Sequence, residues 1–244
     1  MTQSSSKDNG NSKATLIRTA LQYFQAYQQT VARLPYHAID QAALLLARAY
    51  EEGRNIFLFG NGGSASLASH FACDLSKGTA GFTNDRKRFR AMALTDNLPL
   101  LTAWANDSSY ENIFAEQLSN FIGHGDMVFA ISGSGNSPNV LRALELAREA
   151  GAFNIGLTGF QGGTMKRLCD LCIIVPSNNM QVIEDLHLSA THAIFTCICQ
   201  HLQEQKERDF SAYSKAVQFT EPLEQRRGAD HSHFVDASTK TTTS

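Results

Sequence analysis

His70 and Asp74 stand four residues apart in a segment, 64–77, whose apolar spacing reads as a helix. That interval is about one helical turn, so the two side chains share a face. A second group, Glu184, Asp185, His187 and His192, lies in the helical pattern 181–205 among Leu186, Leu188, Ala190 and Ala193. Imidazoles beside carboxylates can pass protons near neutral pH, one group acting as base and the other as acid. They can also hold a divalent metal ion. Each histidine taken singly also fits a plain role as a hydrogen-bonded helix residue. One geometric constraint is already visible. Glu184 and His192 are eight residues apart, which on one continuous helix is about 12 Å of rise. They can share a metal only if Glu184 precedes the regular helix or if the two come from different subunits.

The elements that must position these groups follow from hydropathy. Five short apolar runs read as buried strands: 55–59, 91–95, 126–131, 153–158 and 171–175, the last stopped by Pro176. Amphipathic stretches at 64–77, 110–122 and 137–150 lie between them, and long helices precede the first strand (14–33, 38–52) and follow the last (181–205). Strands alternating with helices give an α/β fold with a mainly parallel sheet covered on both faces. Ligands of such sheets bind beyond the carboxyl ends of the strands, which directs attention to the residues just after 59, 95, 131, 158 and 175.

Two of those strand ends carry loops suited to an anion. The first strand runs into Gly60-Asn61-Gly62-Gly63-Ser64 and then a helix. Glycines let the backbone approach a ligand closely, and a helix N-terminus offers unpaired N–H groups with partial positive charge. Gly60, Gly62 and Ala65 also fit the G-x-G-x-x-A dinucleotide fingerprint. That reading needs an acid about 20 residues on, whereas the first acid after the second strand is Asp96, 36 residues beyond Gly60. A plain structural turn is the other alternative. The third strand ends in Ser132-Gly133-Ser134-Gly135-Asn136-Ser137-Pro138. Ser137 before Pro138 reads as a helix N-cap with proline at the first helical position, which accounts for one serine but not three. Neither loop contains Lys or Arg, so a phosphate there would be held by hydroxyls, amides and helix dipoles. Thr158 to Thr164, after the fourth strand, reads either as a third ligand loop or as the cap of a short helix.

Composition bounds the rest. The chain has 244 residues, 21 Lys plus Arg against 23 Asp plus Glu, and 43 % hydrophobic residues. This near-neutral balance argues against charge-driven nucleic-acid binding. No apolar run approaches the roughly 18 residues of a membrane span. The polar N-terminus lacks the apolar region of a signal peptide, so a cytoplasmic protein is expected. Residues 1–12 and 206–244 read as a disordered arm and a disordered tail, leaving 13–205 as one domain. The five cysteines read as reduced, buried thiols. Cys169 and Cys172 have CxxC spacing, but no second pair stands at zinc-ribbon distance.

In order along the chain come Gly60-Asn-Gly-Gly-Ser64, Ser69-His-Phe-Ala72, Ala105-Asn-Asp107, Ile131-Ser-x-Ser-Gly-Asn-Ser137, Leu157-Thr-Gly159, Gly162-Gly163 and Leu186-His187. This pattern resembles the sugar isomerase (SIS) domain in its phosphoheptose isomerase branch, over roughly residues 15–203. A related non-enzymatic group, the DnaA initiator-associating proteins, shares the fold and loops. The resemblance implies a five-stranded parallel sheet flanked by helices and a homotetramer with sites between subunits. It implies ketose–aldose isomerisation of D-sedoheptulose 7-phosphate and a zinc ion at the site. Metal and acid–base roles fall on His70, Asp74, Glu184 and His192, with Asp74 and His192 as the catalytic pair. Phosphate-holding serines fall on Ser64, Ser132, Ser134 and Ser137. Further substrate contacts fall on Asn61, Gly62, Gly63, Asp96, Asn106, Asp107, Gly133 and Glu184. The chain departs from the family in four places. Asp74 replaces a glutamate, Glu184 a glutamine, and Gly133 a residue that is often threonine. Gln181-Val182 replaces an Asp-Arg pair. The non-enzymatic group tends to lose the acid four residues after the first histidine; this chain keeps it, and keeps His192, which favours an enzyme.

Overall fold

Strands β1 (Asn55–Gly60), β2 (Arg90–Ala93), β3 (Met127–Ser132), β4 (Phe153–Thr158) and β5 (Leu171–Ile174) form one sheet in the order β2-β1-β3-β4-β5. Every pairing is parallel. The structure, a computed structural model, describes residues 17–82 and 87–218, with side chains as far as 212. Two units are distinguished, Met1–Glu204 and Gln205–Ser244, and the sheet lies in the first.

Period-two alternation explains why both faces of the sheet are covered. In β1 and β3, Ile56, Leu58, Met127, Phe129 and Ile131 enter one core cluster with Leu46, Phe71 and Ile194. Phe57, Phe59, Val128 and Ala130 point the other way, into a second cluster with Phe114, Leu118 and Leu144. Successive side chains of a strand face opposite sides, so continuous apolar runs require helices on both. Helices α2 (Tyr36–Glu52) and α3 (Gly63–Ser76) supply the first cluster. Helices α5 (Ala115–Ser119) and α6 (Pro138–Glu149) supply the second. The α/β class, the parallel sheet and the five strand positions agree with the sequence reading.

The helices depart from it in several respects. First, α1 (Ala20–Val31) starts later than expected, at a capping box: the Thr19 hydroxyl accepts from Gln22 N, and the Gln22 amide oxygen accepts from Thr19 N. Second, the expected helix 110–122 is broken into a 3-10 turn at Tyr110–Asn112 and the short α5. Asn112 Nδ2 donates to Ser108 Oγ at 2.7 Å, a local bond that competes with helix continuation. An unforeseen α4 (Leu98–Asp107) precedes it, capped by Asn97, whose side chain accepts from Leu100 N. Third, after α7 (Met165–Leu168), the last helix α8 (Met180–Gln218) continues past 205, where the tail was expected to begin. Its apolar stripe ends near Leu202, but no Gly or Pro interrupts 180–218, and strong helix formers carry it on. The expected arm 1–12 and residues 219–244 lie outside the described residues. Among the described residues, no helix is long and apolar enough to cross a membrane.

Candidate active site

The direction in which successive strands are added to the sheet reverses between β1 and β3. From β1 the chain crosses to β2 on one side; β3, β4 and β5 then extend the other side. Such a switch opens a crevice at the carboxyl ends of the two central strands. The glycine- and serine-rich loops leave from those same strands, Gly60–Gly63 into α3 and Ser132–Ser137 into α6. Topology therefore sets the two loops side by side.

The loop after β3 is tightly built. Ser132 is buried, and its Oγ lies 3.2 Å from Ser137 Oγ. Ser137 occupies the N-cap position of α6 with Pro138 in the first turn, yet its hydroxyl makes no capping bond. It faces Ser132 instead, which leaves it free to turn toward a ligand. Ser134 Oγ accepts from Asn136 N at 3.2 Å. Gly135 holds φ +65°, and a Cβ there would stand 2.3 Å from Gly162 O. The 158–164 segment braces this loop: Gly159 N donates to Gly133 O, Met165 N to Gly135 O, and Thr164 N to Asn136 Oδ1. A side chain at Gly133 would collide with Met180 Sδ at 2.5 Å, so the glycine there belongs with the methionine that opens α8.

The loop after β1 is more open. Gly62, at φ +56°, precedes α3, and no side chain caps that helix. The amide of Asn61 is taken up internally. It exchanges two 2.8 Å bonds with Asn139 and accepts from Tyr110 Oη at 3.0 Å. Asn139 was not foreseen; its signal was a polar residue on the buried stripe of an amphipathic helix. The Glu184 carboxylate lies 3.6 to 3.7 Å from where a Gly63 Cβ would be, over the positive end of α3. Gly63 and Ser64 line a cavity of about 280 Å³ together with His70, Glu184, Asp185 and His187. Asp96 accepts from the Ser69 hydroxyl, which also lies 3.1 Å from Thr95 Oγ1. Asn106 donates to Asp107 at 2.7 Å at the exposed end of α4; neither lines that cavity.

His70, Asp74 and His192 meet. His70 Nε2 lies 3.0 Å from His192 Nε2 and 3.3 Å from Asp74 Oδ2, and His192 Nε2 lies 4.0 Å from that oxygen. All three donor atoms lie within 4.8 Å of one another. Asp74 Oδ2 is buried and accepts no hydrogen bond, a costly state for a carboxylate oxygen unless a cation or proton meets it. Two imidazole nitrogens and a carboxylate oxygen are a zinc-type donor set that leaves a coordination position open. The residues thus fit a metal ion. Glu184 is not part of this set, because it lies two turns from His192 on the same helix and turns to Gly63 instead.

Two neighbours shape the α8 side of the cavity. Tyr23 donates to the Asp185 carboxylate, and its phenol is pushed up to about 12 by burial and then by that bond. His187 is 1 % exposed, and neither ring nitrogen makes a hydrogen bond of good geometry. Burial pushes its pKa down to about 4, with the main chain of Thr158 opposing only in part, so the ring is neutral at physiological pH.

The SIS domain family model matches residues 21–159. The chain belongs to the SIS domain family. Within it, the relatives are phosphoheptose isomerases. That of Aliarcobacter butzleri is 38 % identical over 73 % of this chain and 95 % of its own length. That of Aneurinibacillus thermoaerophilus is 43 % identical over 64 % of this chain and 77 % of its own. The structure of a phosphoheptose isomerase from Francisella tularensis superposes with a TM-score of 0.68 at 32 % identity, covering 75 % of this chain and all of that one. The SIS chain described here therefore falls in the phosphoheptose isomerase branch.

Proposed function

We propose that this protein is a phosphoheptose isomerase, converting D-sedoheptulose 7-phosphate to D-glycero-D-manno-heptose 7-phosphate through an enediol, in the supply of activated heptose. The observation that carries this is the meeting of His70, Asp74 and His192 beside a pair of Gly/Ser loops at the sheet's switch point.

Ser64, Ser132, Ser134 and Ser137 hold the phosphate by hydroxyls and amides without a cationic side chain. Phosphate binding fixes the far end of the open-chain sugar, which orients its carbonyl end toward Asp74 and His192. Asp74 takes the proton from C1. His192 delivers a proton to the developing enediolate oxygen at C2; the carboxylic acid at Asp74 then returns its proton at C2 while His192 takes the proton of the C1 hydroxyl, which leaves the aldehyde and restores both groups. Asn61, through its bonds to Asn139 and Tyr110, holds the first loop in place. Asp96, Asn106, Asp107 and Glu184 are assigned to the hydroxyls of the sugar chain. His70, Asp74 and His192 would hold a zinc ion, which when bound polarises a substrate carbonyl. One oxygen of Asp74 cannot both grip a metal and accept a proton, so the base assignment belongs to the form in which Asp74 is unligated.

The oligomer is read as a homotetramer in a cytoplasmic setting. Two features support the assembly. Leu21 and Phe24 of α1 and Leu188 of α8 are exposed apolar side chains. Glu184, which cannot reach its own chain's metal set, is free to reach a neighbour's.

NMR of D-sedoheptulose 7-phosphate incubated with the protein, with and without zinc or a chelator, tests the reading. Aldose phosphate signals are expected, and the two metal conditions show which form turns over. Binding without turnover in either condition would overturn it in favour of a sugar-phosphate-binding protein that acts through a partner.

A further inference from the structure

We propose that Cys169 and Cys172 form a redox-active dithiol, a modification site that an oxidant of the peroxide class closes to an intramolecular disulfide. Cys169 caps α7 and leaves it in an extended conformation, φ −96° and ψ 141°. Cys172 is the second residue of β5 and pairs with Gly156 of β4. This bend brings both sulfurs against Gly156. A Cβ at Gly156 would stand 2.6 Å from Cys169 Sγ and 3.4 Å from Cys172 Sγ. The space left by the missing side chain at 156 is occupied by both thiols together with the Met165 methyl. Both are partly exposed, whereas Cys199 is buried, and the expectation of five buried thiols does not hold.

The surroundings divide the labour between the two sulfurs. The neighbouring Cys169 thiol holds Cys172 below its ordinary pKa against the opposing effect of burial, and Lys166 acts in the same direction as Cys169. The same pairing, and then burial, pushes Cys169 up. A favoured thiolate three residues from a protonated partner is the arrangement of an attacking and a resolving cysteine. The Cys172 thiolate attacks one peroxide oxygen, the O–O bond breaks, and hydroxide leaves, giving a sulfenic acid at Cys172. Cys169 gives up its proton and attacks the Cys172 sulfur. The S–O bond breaks and water leaves. Two thiols lose two electrons, and one peroxide is reduced to two waters. The pair lies at the amino end of β5, away from the strand ends that carry the serine loops.

The test treats the reduced full-length protein with equimolar hydrogen peroxide, alkylates free thiols, and cleaves before Asp170, between the two cysteines. The expected product is two fragments linked through Cys169 and Cys172, two hydrogens lighter than the reduced pair and separated again by dithiothreitol. It should form at least about tenfold faster than Cys73 or Cys197 is oxidised. Cys169→Ser should stop at a Cys172 sulfenic acid that a 1,3-dione probe captures, and Cys172→Ser should abolish the fast reaction. Oxidation of Cys73 or Cys197 first, with Cys169 and Cys172 still alkylated, overturns the proposal. So does an unchanged rate in Cys172→Ser. The wild-type mapping stands by itself if either variant fails to fold.

Discussion

The loops that follow β1 and β3 have similar compositions but are built differently. The loop after β3 is braced by one neighbouring segment: Gly135 is wedged against Gly162, and Gly133, Gly135 and Asn136 all bond to residues 159–165. Its hydroxyls already face each other. The loop after β1 is pinned through Asn61 and opens toward histidines whose side chains are about half exposed, 50 % for His70 and 49 % for His192. A braced, uncharged cradle binds ground and transition states alike. A cluster of titratable groups with an orphan carboxylate oxygen contributes mainly when charge moves. Binding is thus assigned chiefly to the serine loop after β3 and chemistry to side chains of α3 and α8, and each can be broken separately.

The largest separation is expected at the chemical side. Asp74→Asn and His192→Gln should each lower kcat at least ~100-fold while KM changes little, because both remove groups used only in the transition state. Steady-state kinetics on the isomerase reaction check this, and near wild-type turnover in both variants would refute the assignment. At the braced loop, Gly135→Ala forces a Cβ at φ +65° into main-chain Gly162 O. Backbone atoms cannot yield as a flexible side chain can, so about 2 kcal/mol of stability should be lost, read as a lower melting temperature and a raised KM. Ser137→Ala should be milder. One hydroxyl bond to a charged phosphate is removed without strain, and KM should rise about tenfold at unchanged kcat. An equal fall in kcat would move Ser137 from the binding loop to the chemical one.

The same contrast shows what a sequence discloses. Strands β1 and β3 were legible because both faces of a buried strand are apolar and the runs end at glycine or serine. The serine loop was read as a cradle because three hydroxyls exceed what a cap needs; Ser137 takes the N-cap position that was expected, but its hydroxyl makes no capping bond. The helix α4 carried readable signals, Asn97 as cap and Pro99 in the first turn, which its apolar stretch concealed. Other features depend on distant partners. Asn61 and Asn139 are 78 residues apart, and His70 and His192 are 122 apart. No local pattern states such a pairing, although the helical spacing of His70 and Asp74 announced half of the cluster. The sharing of space by Cys169 and Cys172 depends on a glycine in the neighbouring strand, so the CxxC spacing by itself was mute.

The smallest expected effect lies behind the catalytic cluster, where His187 contributes through its burial. Its folded pKa of about 4 lies below the ordinary 6.5. As pH falls through 6.5 the unfolded chain takes up a proton that the folded chain refuses until about pH 4. The unfolded state then binds more protons, so stability falls with falling pH across that window and is fully present above it. Between pH 6 and pH 5 this amounts to about 1 kcal/mol. Denaturant titrations of the wild type and His187→Gln at the two pH values measure it, since the glutamine does not titrate. A wild-type stability that is lost no faster than the variant's over that step would mean that the imidazole is charged or solvated in the folded protein. The α8 wall of the cavity would then be polar and wet, and the contrast between a dry braced loop and an open chemical face would have to be redrawn.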